Sequence, residues 1–463
     1  MGKKHESLRR VPLTAARGIS WPAIPDATHA TWLAVLYQLD QSQWWARSEI
    51  ESQQFRQLSL LLSHAAESVP FHAERLRPLS DRKFQIRQHE EFRQIPILTR
   101  DEVLEHFRAL VSTSLPQDHR PMLEGRSSGS VGKPVNFYHT KVTKVLGKAF
   151  NLRNELWHDI DPMARIASIQ AGGANSNGGE IRAEQRRDSI FPCGSVHRFS
   201  CIKPVDDQLR WLKSVSPGRI VTHPSNLAAL LAEAKATKVE LPELKHINTL
   251  GEVLPPEVRA LCKEVWGLPV TDIYSCREAN ILALQCPENE HYHIQSEHVI
   301  FEVLDENDQP CKAGERGRVV VTDLHNFAMP LIRYEVGDHA ELGESCSCGR
   351  TLPVLKRIWG RTRNMMVLPT GQRIWPQVGL AEISKLLPIK QIQVIQKTLR
   401  EIEVKIVLSR PVEPEMYDDF GKAARKIFAK FSSEFRVTVS VVDNIPKSKS
   451  GKYEDFMSLV TTG

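Results

Sequence analysis

Between about residues 140 and 345, stretches of helical periodicity alternate with short runs rich in β-branched residues. That alternation confines the chain to an α/β architecture with mostly parallel sheets. The periodicity predicts helices over Thr143–Leu156, Val205–Ser214, Asn226–Thr237 and Pro256–Val265. It predicts strands over Arg165–Ile169, Arg219–Thr222, His246–Thr249, Val270–Tyr274, Val299–Leu304 and Arg318–Thr322, the last two an antiparallel pair around a glycine-containing turn. Upstream, Trp32, Leu33, Val35, Leu36 and Leu39 fall at roughly helical spacing and mark residues 1–50 as an arm packed on the main body. An amphipathic helix is expected over residues 55–68, ended by Pro70, and another from Arg100 to Val111 behind Thr99. The last hundred residues read as a compact α+β module: strands Ile392–Gln396 and Glu401–Leu408, helix Glu415–Phe431 and strand Phe435–Val442. A chain of 463 residues exceeds one typical core. The expected division is an arm over 1–50, a large α/β domain over 51–360 and a small α+β domain over 361–463.

Within this frame, Ser127-Ser128-Gly129-Ser130-Val131-Gly132-Lys133-Pro134 packs hydroxyls, glycines and a lysine into one loop. Glycine tolerates positive φ and lets backbone approach a ligand closely. Backbone N–H groups then form an anion-binding concavity, and Lys133 supplies a point charge. The pattern suits a polyphosphate, most simply ATP. It is not the common P-loop: the spacing from Gly129 to Gly132 is too short, and Pro134 stands where a hydroxyl ligand would follow the lysine. Ordinary turns and linkers share this composition.

Other groups add to it. Tyr274-Ser275-Cys276-Arg277-Glu278 follows a predicted strand, and in α/β sheets ligands bind beyond the carboxyl ends of strands. There an aromatic can stack on a purine and Glu278 can hold magnesium. Taken singly, Tyr274 would be core and Glu278 a solvated charge. Arg333-Tyr334-Glu335-Val336-Gly337-Asp338 sets a carboxylate behind a glycine turn, fit to accept both ribose hydroxyls or merely to satisfy the turn. Pro446-Lys447-Ser448-Lys449-Ser450-Gly451-Lys452, on a loop after the last predicted strand, offers a lysine to charge developing in adenylyl transfer, or is a solvated basic tail. Gly360-Arg361-Thr362-Arg363-Asn364 joins body to module as a hinge.

Cys346 and Cys348 combine with the upstream Cys286 and with His291 or His293 as a three-cysteine, one-histidine zinc set. His293 is favoured because it abuts Ile294; buried thiols are the alternative. Such a zinc would be structural, pinning the late hairpin to the Asp338 loop.

Composition excludes several classes. The residue mix is that of a soluble globular protein, and no apolar run approaches a membrane span. The basic N-terminus, Met1–Arg10, lacks the apolar stretch of a secretory signal. Eight cysteines in a chain this long are not a disulfide scaffold, so the reduced cytoplasm is the expected location. A formal net charge of +6 without a block of like charges argues against nucleic acid as a partner.

In this order, the motifs resemble those of the acyl-adenylate-forming superfamily, most closely its phenylacetate–CoA ligase branch. His64–Phe71, Ile95–Thr99 and Cys346–Arg350 also point to that branch, and the resemblance runs from about residue 52 to 456. It implies a large adenylate-forming domain and a small C-terminal lid that rotates between half-reactions. It implies that a carboxylate attacks the α-phosphate of Mg-ATP, and that a thiol, most simply coenzyme A, or an amine then takes the acyl group. By position it assigns the phosphates to Ser127, Ser128, Gly129, Ser130, Gly132 and Lys133. The adenine side falls to Gly251, Glu252, Tyr274 and Ser275, magnesium to Glu278, ribose to Asp338, the ribose–phosphate region to Arg361, and catalysis of adenylation to Lys452 with Lys133.

Two departures stand out. Ser275 and Arg277 replace the usual small residue and hydroxyl around the adenine motif. Arg363 and Asn364 replace the hinge aspartates, which keeps an amide-forming ligase open as an alternative. A reading from another class is a zinc-bearing basic binding protein. The acyl pocket is expected from about residues 138–200 and 249–277, with Gln170–Gly179 on its border, and a homodimer is one assembly open to the chain.

Overall fold

The structure is a computed structural model that describes residues 11–82, 84–127, 134–170, 181–185, 189–361, 365–374, 386–446 and 456–460, the side chains of 80–82 and 181–185 left aside. The chain divides into two compact units, Met1–Trp359 and Gly360–Gly463.

The first unit opens with helices α1 (Ala27–Ser42), α2 (Arg47–Ser68), α3 (Pro70–Arg75), α4 (His89–Phe92) and α5 (Arg100–Glu105). A hairpin of β1 (Leu123–Arg126) and β2 (Asn136–His139) follows. Then come α6 (Lys141–Trp157), β3 (Ile166–Gln170), β4 (Ile181–Gln185), β5 (Ser195–Ser200), α7 (Val205–Val215), β6 (Arg219–Thr222), α8 (Pro224–Thr237), β7 (His246–Leu250), α9 (Pro256–Trp266) and β8 (Val270–Cys276). Finally β9 (Asn280–Gln285), β10 (Tyr292–Ile294), β11 (Val299–Leu304), β12 (Arg316–Asp323), β13 (Tyr334–Leu342) and β14 (Val354–Arg361) complete a sheet ordered β11-β12-β13-β14-β10-β9-β8-β7-β6-β3-β5-β4. Strands β5, β3, β6, β7 and β8 run parallel, as the alternation predicts. The pairs β8–β9, β9–β10, β10–β14, β12–β13 and the predicted pair β11–β12 are antiparallel. The fold is thus mixed α/β with a parallel-rich sheet.

The helices between parallel strands carry clear boundary chemistry. Proline opens α8 and α9, where its missing N–H costs nothing, and left-handed Lys238 and Gly267 close them. In α7, Leu209, Trp211, Leu212 and Val215 form the buried stripe. Two boundaries differ from expectation. Pro70 opens a new helix instead of only ending one, because proline is also preorganised for a first helical turn. The helix behind Thr99 stops at Glu105, and the chain then turns, so that Ala109 O accepts from Phe71 N (3.0 Å) and Leu110 is buried.

The N-terminal arm is fastened to the body through α1. Leu39 packs with Ala149 and Phe150 of α6. Arg153, buried in α6, bonds Glu297 Oε1 (2.7 Å), Gln295 Oε1 (2.8 Å) and the Leu39 carbonyl, and Ser42 Oγ donates to Glu297 (2.6 Å).

A second polar network fixes β8. Asp272, fully buried, accepts from Thr249 Oγ1 of β7 (2.5 Å) and from Tyr292 Oη of β10 (2.7 Å), while its own N–H donates to Gln285 Oε1 of β9 (2.9 Å). Burial raises the Asp272 carboxyl above its ordinary value, and those donors pull the other way.

The second unit opens with the short antiparallel pair β15 (Met366–Val367) and β16 (Arg373–Ile374), pairs β17 (Ile389–Gln396) with β18 (Glu401–Leu408), adds a parallel strand Arg436–Val441 beside β18, and packs the helix Pro414–Ala429 over them. Phe420, Phe428, Ile402 and Val404 are its buried centre. Three strands of this unit were not foreseen, the short pair β15–β16 and one more. Phe456–Ser458 joins β17 in parallel, so the segment carrying Lys452 lies between two strands rather than beyond the last. Three residues give no alternation to read; burial of Phe456 against this core fixes the strand.

Among the described residues no helix is long and apolar enough to cross a membrane. We predict that Tyr292→Phe, which removes a donor from buried Asp272, lowers stability by about 1–3 kcal/mol with little change in helix content. Equilibrium urea unfolding of the full chain measures it, and an unshifted midpoint would show that the network does not hold β8.

Candidate active site

The adenine-side and ribose-side motifs meet at one hydrogen bond. Tyr274 lies near the carboxyl end of β8, and its hydroxyl donates to Asp338 Oδ2 in β13 at 2.9 Å across a sequence separation of 64. Gly337 takes φ +81°, which turns β13 locally and sets Asp338 toward β8. The register between β12 and β13 shifts after Arg318, the kind of irregularity that re-aims side chains at functional sites. Glu278 is buried just past β8. It, Asp338 and Asp323 all act on the half-buried Cys276 thiol, which desolvation foremost and these carboxylates next push well above its ordinary value. Residues far apart in sequence thus share one electrostatic neighbourhood.

The phosphate loop is held at its neck. Ser127 N donates to Val135 O, and Val135 N donates to Ser127 Oγ, both at 2.8 Å, directly above the Arg126↔Asn136 pair of the hairpin. Ser127 accepts through its oxygen and keeps its hydroxyl proton to give. Arg277, the unusual residue of the adenine motif, donates from Nη1 to the Arg126 carbonyl (3.0 Å), and its own carbonyl contacts His139 Nε2 (2.9 Å). Arg277 therefore ties the β8 end to the loop's neck. Ser128, Gly129, Ser130, Gly132, Lys133 and Lys452 lie outside the described residues, as does the segment Ala171–Glu180.

Gly251 follows β7 with φ +82°, and the next residue, Glu252, accepts from Ser225 N (2.9 Å) at the start of α8. One Glu252 oxygen thus caps a helix and orders the loop in which the resemblance sets the adenine pocket. Ser275 sits in β8, half-buried, beside a register irregularity between Tyr274 and Ser275. Arg361 ends β14 and belongs to the second unit.

Arg333, the first residue of the ribose-side motif, has a supporting role that the motif reading did not assign. It is buried, adopts φ +51°, pairs bidentately with Glu302 (3.0 Å twice) and donates to the carbonyls of Arg93 (2.8 Å) and Ile95 (2.6 Å). A non-glycine residue in that backbone region persists only where its surroundings hold it. Here they hold the start of the strand that delivers Asp338.

The cysteine group also assembles. Cys286 follows β9, His293 sits in β10, and Cys346 and Cys348 lie between β13 and β14, with their donor atoms all within 4.8 Å of one another. Cys286 Sγ is 3.7 Å from Cys346 Sγ, and His293 Nε2 is 3.4 Å from Cys348 Sγ. His291 is close too, its Nε2 3.0 Å from Cys346 Sγ. The other His293 nitrogen contacts Leu352 O (3.2 Å), so Nε2 is the one turned to the thiols. Burial pushes the Cys346 thiol up to about 12; a divalent cation would ionise it outright. The cluster links the β9–β10 turn to the β13–β14 connection, not the β11–β12 hairpin that its sequence position suggested, because β10 lies between β9 and β14 in the sheet.

The chain as a whole is similar to several known proteins. The chain is 27% identical over 451 residues to a phenylacetate-coenzyme A ligase of Thermus thermophilus, covering 89% of this chain and 97% of that one. It is 23% identical to the enzyme of the same name from Escherichia coli, over 78% of this chain and 83% of the other. In structure it matches 2-hydroxyisobutyryl-CoA ligase in the postadenylation state in complex with R3-HIB-AMP, with a TM-score of 0.69, 17% identity and coverage of 90% and 91%. Residues 367–458 match the CapK C-terminal domain. The resemblance to the acyl-adenylate-forming superfamily, in its phenylacetate–CoA ligase branch, holds. For a chain similar to these ligases, Arg333 is the test of the scaffold. Arg333→Met strands the Glu302 carboxylate in the interior and is expected to cost about 3–5 kcal/mol. Chemical unfolding reads the loss; a change below about 1 kcal/mol would mean that Glu302 finds water or another partner.

Proposed function

We propose that the chain is an AMP-forming acid–thiol ligase that activates a carboxylic acid with ATP and passes the acyl group to coenzyme A. The observation that carries this reading is the Tyr274–Asp338 hydrogen bond at the carboxyl end of a parallel strand, with Glu278 and the phosphate-loop neck beside it. Likeness to phenylacetate-coenzyme A ligases over most of the chain supports it.

The chemistry follows from where charge develops. A carboxylate oxygen attacks the α-phosphorus of ATP; the new O–P bond forms as the bond to pyrophosphate breaks. A thiolate sulfur then attacks the acyl carbonyl carbon, and AMP leaves with the C–O bonding pair. Asp338 accepts the ribose hydroxyls, Tyr274 lines the purine with Gly251 and Ser275, and Arg361 serves the ribose–phosphate region. The loop from Ser127 to Lys133 receives the phosphates through backbone N–H groups and the lysine charge. Glu278 would hold magnesium, which supplies neutralisation of phosphate charge. Lys452 acts on the α-phosphate as negative charge grows there, the step at which a positioned cation is worth most.

Four converging soft and borderline donors, Cys286, His293, Cys346 and Cys348, suit a structural zinc and leave no position for chemistry. We also assign the chain to the reducing cytoplasm, which suits eight cysteines without a disulfide; recovery in a secreted fraction would overturn that.

Carboxylate-dependent exchange of labelled pyrophosphate into ATP tests the ligase, with a panel led by arylacetic and short hydroxy acids. Exchange is expected with one acid class and is expected to fall by about 100-fold or more in Lys452→Ala and in Asp338→Ala. CoA, measured by its thiol, should be consumed with the same acid. Exchange that persists without CoA consumption, and releases AMP only when an amine is added, would replace the thiol acceptor. Failure to bind ATP would sink the reading altogether.

A separate metal analysis tests the cysteine site. Cys346→Ser with Cys348→Ser is expected to release zinc and lower the thermal midpoint while the chain remains folded. Zinc retained in full would rule the site out.

A further inference from the structure

The pairing of β11 with β12 gathers a second set of metal-ligand side chains at the strand end farthest from their connecting turn. Val299 and Asp323 are register partners, so His298, just before β11, meets the segment Asp323–His325 that leaves β12. The meeting is closed by backbone bonds: Leu324 N donates to His298 O (3.0 Å), and His325 N donates to Asp323 Oδ1 (3.0 Å). The two imidazoles lie nearly parallel, 12° apart with centroids at 5.9 Å. His298 Nδ1 stands 3.6 Å from Asp323 Oδ1. Taken together, one donor atom from each of the three residues lies within 4.8 Å of the other two.

His298 and Asp323 are fully buried. Yet His298 Nδ1, Asp323 Oδ2 and His325 Nδ1 are each shielded from solvent and have no hydrogen-bond partner. Orphaned polar atoms are rare in folded interiors, and three in one cluster point to something that satisfies all of them. Among the described residues no lysine or arginine forms an ion pair with Asp323. The ring orientation is set as well. His298 Nε2 faces the Ala279 carbonyl at 2.9 Å and donates to it, so Nδ1 is the nitrogen turned toward the carboxylate. A ligating imidazole is oriented in just this way, its second nitrogen donating to a carbonyl.

We propose that His298, Asp323 and His325 form a divalent-metal site, separate from the cysteine cluster, for an ion of the zinc class bound through both Nδ1 atoms and the Asp323 carboxylate. Two imidazoles and one carboxylate are a donor set of borderline divalent ions. Ligands bonded at about 2.0–2.2 Å stand roughly 3–3.5 Å apart around such an ion, so binding draws the three side chains inward by rotation. The ion would act as a clamp. Through His298 it reaches the carbonyl of Ala279, the neighbour of Glu278, and through the next residue, Asn326, whose Nδ2 donates to Tyr138 O (2.8 Å), it steadies the end of β2. The site stands independently of the ligase reading, since it needs no substrate.

Metal content of the full chain tests it. After exposure to zinc and passage over a chelating resin, zinc is counted in wild type, in Cys346→Ser/Cys348→Ser, and in that double variant carrying Asp323→Asn. The proposal expects one zinc to survive in the cysteine variant and to vanish when Asp323 is changed, with a folded circular-dichroism spectrum retained. Cobalt supplies a readout that does not depend on the cysteine variant folding. In the otherwise native chain, His325→Gln should lose one equivalent of cobalt without losing the thiolate-to-metal charge-transfer band. No zinc or cobalt in the folded cysteine variant overturns the proposal. So does metal that is retained after Asp323→Asn, and so does an unchanged cobalt count in His325→Gln.

Discussion

A buried aspartate holds the strand on which the whole arrangement turns. Asp272 sits inside β8, the strand at which the sheet changes from parallel to antiparallel. Its carboxylate takes hydrogen bonds from β7 and β10, and its N–H is claimed by a side chain of β9. A carboxylate without solvent is tolerable only when its acceptor sites are filled. Filling them from neighbouring strands fixes the height of β8 in the sheet, and with it Tyr274 and Glu278. The candidate site lies at this switch of direction, where strand ends leave a crevice.

Support for the second half of the site comes from the opposite charge. Arg333 stands at the head of β13 in a conformation that costs energy by itself, and it persists because a carboxylate and two carbonyls are aimed at its guanidinium. Asp338 follows a few residues later on the same strand. Asp338 and Tyr274, the residues proposed for ribose and purine, are therefore delivered by two strands, each anchored by its own buried charged side chain.

Much of this was legible from residue patterns. Arg219–Thr222, Val299–Leu304 and Glu401–Leu408 read as strands with their observed bounds, because β-branched runs there are cut sharply by turn residues. Asn280–Gln285 went unread: it is buried nearly throughout, so no alternation separates its two faces. Tyr274, Glu278 and Asp338 were picked out from their motifs, and the structure brings Tyr274 and Asp338 together at one hydrogen bond. What sequence could not give was the cross-strand bonding. Nothing near Arg333 announces Glu302, nothing near Asp272 announces Tyr292, and His298 has no local partner that would mark it. Each becomes readable only once register is known. The cysteine group lay between these cases: its residues were found, but the turns it joins depend on β10 lying between β9 and β14.

The neck formed by Ser127 and Val135 separates two design problems. The pairing of β1 with β2 is closed by bonds that involve neither the composition nor the length of residues 128–133. Hairpin register is thereby set at the neck itself, by bonds between the residues on either side of that span. Two backbone-anchored contacts at one point do the work that a long strand pairing would otherwise have to share.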